Sequence, residues 1–524
     1  MKSVSTQAYL LYPFPHSISG ARLATDPVRA DSPWKHWFVR SADSLDKINL
    51  LTDHSYSFLP HVRRMLYPEL YGLTSDASKQ ALHSVQGMEV AAVRRAIDDA
   101  AGKDDGDRFR NAAVRLTWTG KQLAPGSKIT VRIPGAQGIE EDYKCDLRWI
   151  DAVLFPVGVG VLVAALDPPG DMPTAVAARL MRFAKKVEYR RRLSLEVAQL
   201  SLEASGFPAS GGRGSTWLEV LPTLLRDLAV ASPLDSRDNI SELTGTLGVN
   251  WRLAITSQVR RDGDEQPPPG PFESGAQLAC FALATGRTPV AGQHAECPSE
   301  DQWQRLRSKR CLSLWQDWMM LYHYDNLVQV VESADDRYVA QQFELFEYEY
   351  VTLFIYAIAQ RHLLDIMESD LAQVAGLLEV ASAKLQRFDE AVIRFNTRLW
   401  HRDVSTTPVG GPLYSLLRSG LELSESFASI REASAALQSH LQLRASQGLA
   451  RSTTRTRQLI ELVAVVGVPL GVMSSAMQTR LGNLRPLKAV PPYMAWLLVL
   501  GVLLITTLIY VVIRRTNTRK KDEF

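Results

Sequence analysis

Two apolar segments of membrane-spanning length close this chain. LIELVAVVGVPLGVMSSAM runs from Leu459 to Met477, and YMAWLLVLGVLLITTLIYVVI runs from Tyr493 to Ile513. A bilayer core takes about 20 apolar residues in helical form, because lipid leaves exposed backbone groups unsatisfied. The second segment is free of charge, and the first carries only Glu461. The loop Gln478 to Pro492 joins them. The expectation is a two-helix transmembrane hairpin, the alternative for the first segment alone being a buried core helix.

Charge around these segments sets an orientation. Arg444, Arg451, Arg455 and Arg457 precede the first, and Arg514, Arg515, Arg519, Lys520 and Lys521 follow the second. The loop holds Arg480, Arg485 and Lys488. That asymmetry predicts a multi-pass protein of the plasma (bacterial inner) membrane with both termini cytoplasmic. The first residues, MKSVSTQAYLLYPFPHS, do not read as a signal peptide, because Pro13 and Pro15 interrupt a short apolar stretch. Cys145, Cys280, Cys297 and Cys311 have neither metal-ligand nor disulfide spacing, which suits a reducing compartment.

The 524 residues leave a body large enough for two or three domains. A formal charge of +3 is too small to point to a nucleic-acid polymer, and much of it sits at the flanks of the apolar segments. KITVRIPG (Lys128 to Gly135) and WRLAITSQV (Trp251 to Val259) read as strands. DAVLFPVGVGVLVAALD (Asp151 to Asp167) reads as a buried hairpin around Pro156-Val157-Gly158. Helical periodicity covers Thr174 to Ala204 and Thr216 to Val230. Gly, Pro or acidic clusters mark links at 101–107, 205–215 and 262–274.

From about Ser333 the pattern turns helical. One long helix is expected over Asp335 to Val374, a second over Leu377 to Arg402, and a loop at Asp403 to Pro412. No proline occurs from Leu413 to Val468. Leu416, Leu423, Phe427, Ile430, Leu437 and Leu441 follow a heptad-like spacing with a gap at Ser434. This predicts a stalk helix running unbroken into the first apolar segment. The expected fold is an α+β cytosolic body (1–332), a helical region with the stalk (333–457), a transmembrane hairpin (458–513) and a basic cytoplasmic tail (514–524).

This order of parts, with VGVPLGVMSSAMQ (Val466 to Gln478) and the tail RRTNTRKK, resembles the CorA-like magnesium and divalent-cation transporter superfamily. The architecture matches over about the last 190 residues, and the local pattern over about 60. Gln478-Thr479-Arg480 stands where the family carries Gly-Met-Asn, and the loop has no acidic residue. The resemblance implies a homo-oligomer, a pentamer, with the first segment lining a pore. It implies a divalent cation such as Mg2+ as substrate or regulator, no resident cofactor, and gating by the cytosolic body.

On that reading Gly467, Gly471, Ser474, Ser475 and Gln478 line the pore, or serve the small-residue packing of membrane helices. Glu461 and Arg480 form charge rings at the two mouths. Otherwise Glu461 pairs with Arg457 four residues earlier, and Arg480 reaches the lipid surface. Pro469 is a hinge. The second reading is a ligand-gated membrane effector, of the kind associated with prokaryotic defence, that permeabilises or depolarises the membrane in response to a cytosolic small molecule. A tethered scaffold is the third. None of the ten histidines pairs with another at metal-helix spacing, and no Walker, GxSxG or HExxH motif occurs, so no enzymatic activity is expected.

Overall fold

The computed structural model describes residues 3–16, 37–39, 54–66, 113–118, 128–134, 140–186 apart from 171, 200–203, 215–216, 251–258, 268, 270–287, 297–315, 318–376, 381–462, 500, 501 and 504. Contacts divide the chain into two units, Met1–Glu432 and Ala433–Phe524.

The first unit is built on one mixed sheet. Its strands are β1 (Ser3–Pro15), β2 (Trp37–Val39), β3 (Val114–Trp118), β4 (Lys128–Pro134), β5 (Glu140–Phe155), β6 (Val159–Asp167), β7 (Leu200–Glu203), β8 (Ser215–Thr216), β9 (Trp251–Gln258), β10 (Cys311–Trp315), β11 (Trp318–His323) and β12 (Asn326–Glu332). The order is β10-β11-β12-β9-β1-β6-β5-β4-β7-β8, with β3 joining β5 to β2. β12 and β9 run parallel, and the other pairs are antiparallel.

Helices cover both faces. On one lie α2 (Thr174–Lys186), α3 (Gly275–Thr285) and α4 (Glu300–Arg310), whose Met181, Phe281 and Trp303 join Leu10, Tyr12 and Ala164 in one core cluster. The other face meets α5 (Asp336–Leu345), a π-helical turn (Phe346–Tyr350) and α6 (Val351–Gly376). There Tyr9 packs on Phe346 with ring centroids 5.8 Å apart, and Phe155 on Tyr356 at 6.4 Å. Burial on both faces explains why β6, VGVLVAALD, is an unbroken apolar run. The unit is completed by α1 (Pro60–Leu66), α7 (Ala381–Arg398), α8 (Gly410–Gly420) and the start of α9 (Leu423–Leu462).

Several expectations meet the structure directly. The strands at 128–134 and 251–258 are present, as is the β5–β6 hairpin around Gly158. The prolines that interrupt the first apolar stretch lie inside a central strand, β1. The His16 N–H donates to the Gly158 carbonyl, so even-numbered positions here face β6. Pro13 and Pro15 therefore aim their missing donors at the side that β9 leaves after the Leu11–Trp251 pair. The helix expected over 174–204 ends at Lys186, and Leu200–Glu203 is strand. The helix expected over 216–230 lies outside the described residues beyond Thr216.

The long helix expected from Asp335 is interrupted by the π-turn, and the proline-free stretch from Leu413 is broken at Leu421–Glu422. Glu422 has φ 54°, a left-handed conformation that no helix interior accepts.

The C-terminal fold expectation is corrected. Among the described residues no helix is long and apolar enough to cross a membrane. In α9, the longest, Arg431, Arg444, Arg451, Arg455 and Arg457 recur too often to leave about 20 apolar residues in succession. Among the described residues there is no transmembrane hairpin, which corrects the channel and multi-pass inner-membrane expectations built on it, and the break at Leu421–Glu422 corrects the unbroken stalk from Leu413. Beyond Leu462, and apart from Leu500, Gly501 and Leu504, both apolar segments lie outside the described residues.

Candidate functional site

A charged cluster joins the sheet to the helical layer, and it is built from two backbone irregularities. In β5 the pairing with β6 shifts between Leu147 and Trp149, leaving Arg148 as the extra residue of a β-bulge. Opposite lies the π-turn, a form frequent at functional sites, which carries Glu347. Arg148 Nη1 donates to Glu347 Oε2 at 2.7 Å, and Trp149 Nε1 donates to Oε1 at 3.0 Å. Consecutive residues of a regular strand point to opposite faces. The bulge lets Arg148 and Trp149 serve one carboxylate.

The rest of the cluster closes around the guanidinium. Arg148 Nη2 donates to the Tyr9 hydroxyl at 2.9 Å, and that hydroxyl donates to Gln7 Oε1 at 2.9 Å. Arg148 Nε lies 3.1 Å from Asp167 Oδ1 without hydrogen-bond alignment. The Arg148 and Glu347 side chains are 23% and 10% exposed. Burial opposes the Arg148 cation, but Tyr9, Glu347 and Asp167 outweigh it and raise its pKa. Burial, then the Glu347 charge, raises Tyr9, so its phenol stays protonated. Burial also raises Asp167.

The same turn faces a second partner through Glu349. Thr407 Oγ1 donates to Glu349 Oε1 at 2.6 Å, and Ser405 Oγ donates to the Ser57 carbonyl at 2.7 Å. Segment 54–59 and the loop 403–407 form a short ladder, with Leu59 N–H on Val404 O and Thr406 N–H on Ser57 O, both at 2.9 Å. His54 stacks on Tyr348 at 5.3 Å and meets Glu344 at 3.0 Å. Burial raises the Glu349 pKa, and the Thr407, Ser57 and Ser405 hydrogen bonds only partly oppose it.

From the π-turn α6 runs on to Arg361, which clamps the joint between α8 and α9. Its Nη1 donates to the Leu421 carbonyl at 3.1 Å and to Ser426 Oγ at 2.7 Å, while Nη2 meets Asp365 at 2.9 Å. The last turn of α8 is pressed by the sheet. A Cβ at Gly420 would collide with the Tyr322 ring of β11. The foot of α9 is held by Phe427, whose ring lies 5.1 Å from Phe395 and 4.8 Å from Trp400. α8 is fixed to α6 by Tyr414, which donates to Gln360 Oε1 at 2.9 Å. Gln360 in turn donates to the Leu399 carbonyl at 2.7 Å.

The pore-lining set Gly467, Gly471, Ser474, Ser475 and Gln478, the hinge Pro469 and the mouth charge Arg480 lie outside the described residues. Glu461 is described. It is exposed and accepts from Arg457 Nε at 3.2 Å, an i,i+4 pair on α9. Of the heptad-like stripe, Leu423, Phe427 and Ile430 are buried in the first unit. In the second unit Leu437 and Leu441 are partly exposed, and Leu443 and Ile460 are exposed. No group of three or more metal-ligating side chains occurs among the described residues.

No family model matches the chain. A comparison with curated proteins finds no match. Among solved structures, one described as the full-length CmaX protein aligns with 50% of this chain and 89% of its own, at 12% identity and a TM-score of 0.19. A likeness at that level carries no argument about fold or function.

Proposed function

We propose that the chain is a non-enzymatic regulatory protein that transmits the state of its α/β body to the long helix α9, and that copies of the chain self-associate through α9. The observation that carries this reading is a single helical path with a charged contact at each end. The π-turn binds the sheet through Glu347, and one helix later Arg361 holds the joint at the foot of α9. A change in the sheet that disturbs Arg148 or Trp149 bears on the π-turn, and α6 carries that displacement to Leu421 and Ser426. A non-glycine residue held at φ 54° in the joint stores about 1–3 kcal/mol, which favours a second arrangement of that joint.

Self-association is supported by two leucines that α9 leaves partly exposed, Leu437 and Leu441, four residues apart on one face of the helix. The test has two parts. Hydrogen exchange of 419–430 is compared in the wild type and Glu347→Gln, and oligomeric mass is compared in the wild type and Leu437→Glu/Leu441→Glu. Faster exchange in the first and a lower mass in the second are expected. Unchanged exchange at the joint with a fully folded variant would refute the transmission path. Unchanged mass would refute association through α9.

A further inference from the structure

Two histidines more than 300 residues apart in the chain meet at the surface of the first unit. His61 lies on α1, and His401 lies in the segment between α7 and α8. Their ring centroids are 4.4 Å apart, with planes inclined at 58°. His61 is exposed and His401 partly so. Neither the Arg148–Glu347 cluster, which latches the sheet to the π-turn, nor the joint uses either imidazole.

The spacing suits a shared ion. With metal–nitrogen bonds of about 2.0–2.1 Å, a ring centroid stands about 3.2 Å from the metal. Two centroids 4.4 Å apart then subtend about 90° at the ion, the cis angle of tetragonal and octahedral sites, which imidazole ligands form with Cu2+ and Ni2+. A tetrahedral ion requires the rings to move apart to about 5.2 Å, which disfavours Zn2+ relative to those two. His61, being exposed, can turn to aim its nitrogen at little cost. Arg63, two residues after His61, is held over the Tyr56 ring at 4.5 Å.

We propose that His61 and His401 form a two-imidazole site for a transition-metal dication, Cu2+ or Ni2+, with solvent completing the coordination. Occupied, it staples α1 to the segment that leads into α8, beside the ladder of 54–59 with 403–407. The site stands independently of the transmission reading.

The test titrates the full chain with CuCl2, followed by electron paramagnetic resonance and by the midpoint of thermal unfolding, and repeats the unfolding with NiCl2. The expected result is nitrogen hyperfine splitting from two equatorial imidazoles and a rise in midpoint with either metal. His61→Asn, an exposed change that keeps the fold, should weaken Cu2+ binding by more than about tenfold and leave one coupled nitrogen. His401→Asn should do the same. Wild-type chain with no two-nitrogen signal, or a His61→Asn variant with unchanged affinity and splitting, would overturn the proposal.

Discussion

Removing the Glu347 carboxylate tests the latch most directly. Glu347→Ala takes away the acceptors for Arg148 Nη1 at 2.7 Å and Trp149 Nε1 at 3.0 Å. Hydrogen bonds to charged groups contribute about 1.5–3 kcal/mol each, and breaking a buried ion pair from one side costs about 3–5 kcal/mol. Arg148 keeps Asp167 nearby and is 23% exposed, so the lower end applies, about 3 kcal/mol. Glu347→Gln retains one amide oxygen as acceptor but loses the charge, and should cost about half as much. Arg148→Met removes the cation and the donor to Tyr9, and combining it with Glu347→Gln should cost less than the sum of the single changes by about 2 kcal/mol. The assay is urea unfolding followed by far-ultraviolet circular dichroism and by tryptophan emission, to which Trp149 contributes. Additivity within about 0.5 kcal/mol, or a Glu347→Ala cost below about 1 kcal/mol, would show that the pair does not couple sheet and helix.

Three further outcomes follow from the same contacts. Glu349 has a folded-state pKa above its unfolded value because it is buried. The stability linked to its proton is therefore complete below the ordinary glutamate range and is lost as pH rises through the folded pKa. Glu349→Gln should accordingly be more stable than the wild type at neutral pH, with the difference shrinking to nothing in acid. A pH-independent difference in unfolding midpoint would contradict this. Gly420→Ala drives a methyl group into the Tyr322 ring and should cost about 1–3 kcal/mol of overpacking, read from the denaturation midpoint. Arg361→Met removes the bonds to Leu421 and Ser426; it should accelerate amide exchange at 421–430 while leaving the β6 amides protected.

Parts of this fold are legible in the chain because local chemistry decides them. The runs at 128–134, 151–167 and 251–258 become strands where apolar and β-branched residues are bounded by turn formers. β1 is harder to read, since Pro13 and Pro15 argue against a central strand until the end of β9 is known. The turn Phe346–Tyr350 reads as ordinary helix because FEYEY contains no breaker, and the π form is a tertiary accommodation. The break at Leu421–Glu422 is hidden for a related reason: a glutamate does not announce φ 54°, and only the packing of Gly420 on Tyr322 explains why the chain turns there. The latch could not be assembled from sequence, because Gln7, Tyr9, Arg148, Asp167 and Glu347 become neighbours only through strand order. Glu461 and the positions beyond 462 stand out in the sequence, whereas the contacts of the latch and the joint lie between 7 and 426.

The two irregularities at the latch explain one another. A regular β5 would point Arg148 and Trp149 to opposite faces, and one of them would enter the apolar cluster formed by α2, α3 and α4. The bulge turns both toward the helical layer at the cost of an unpaired residue in the ladder. Glu347 and Glu349, two residues apart, leave the helical segment on different sides. Within the π-turn Glu347 meets the sheet while Glu349 meets Thr407. Each distortion has little to recommend it alone, and the charged contact between them compensates both. A fold that only needed to be stable could fill this place with apolar side chains of similar volume, which is often neutral or stabilising. A bulge, a π-turn and a buried ion pair at one contact, one helix away from a joint with a left-handed Glu422, are the parts on which the proposed transmission rests.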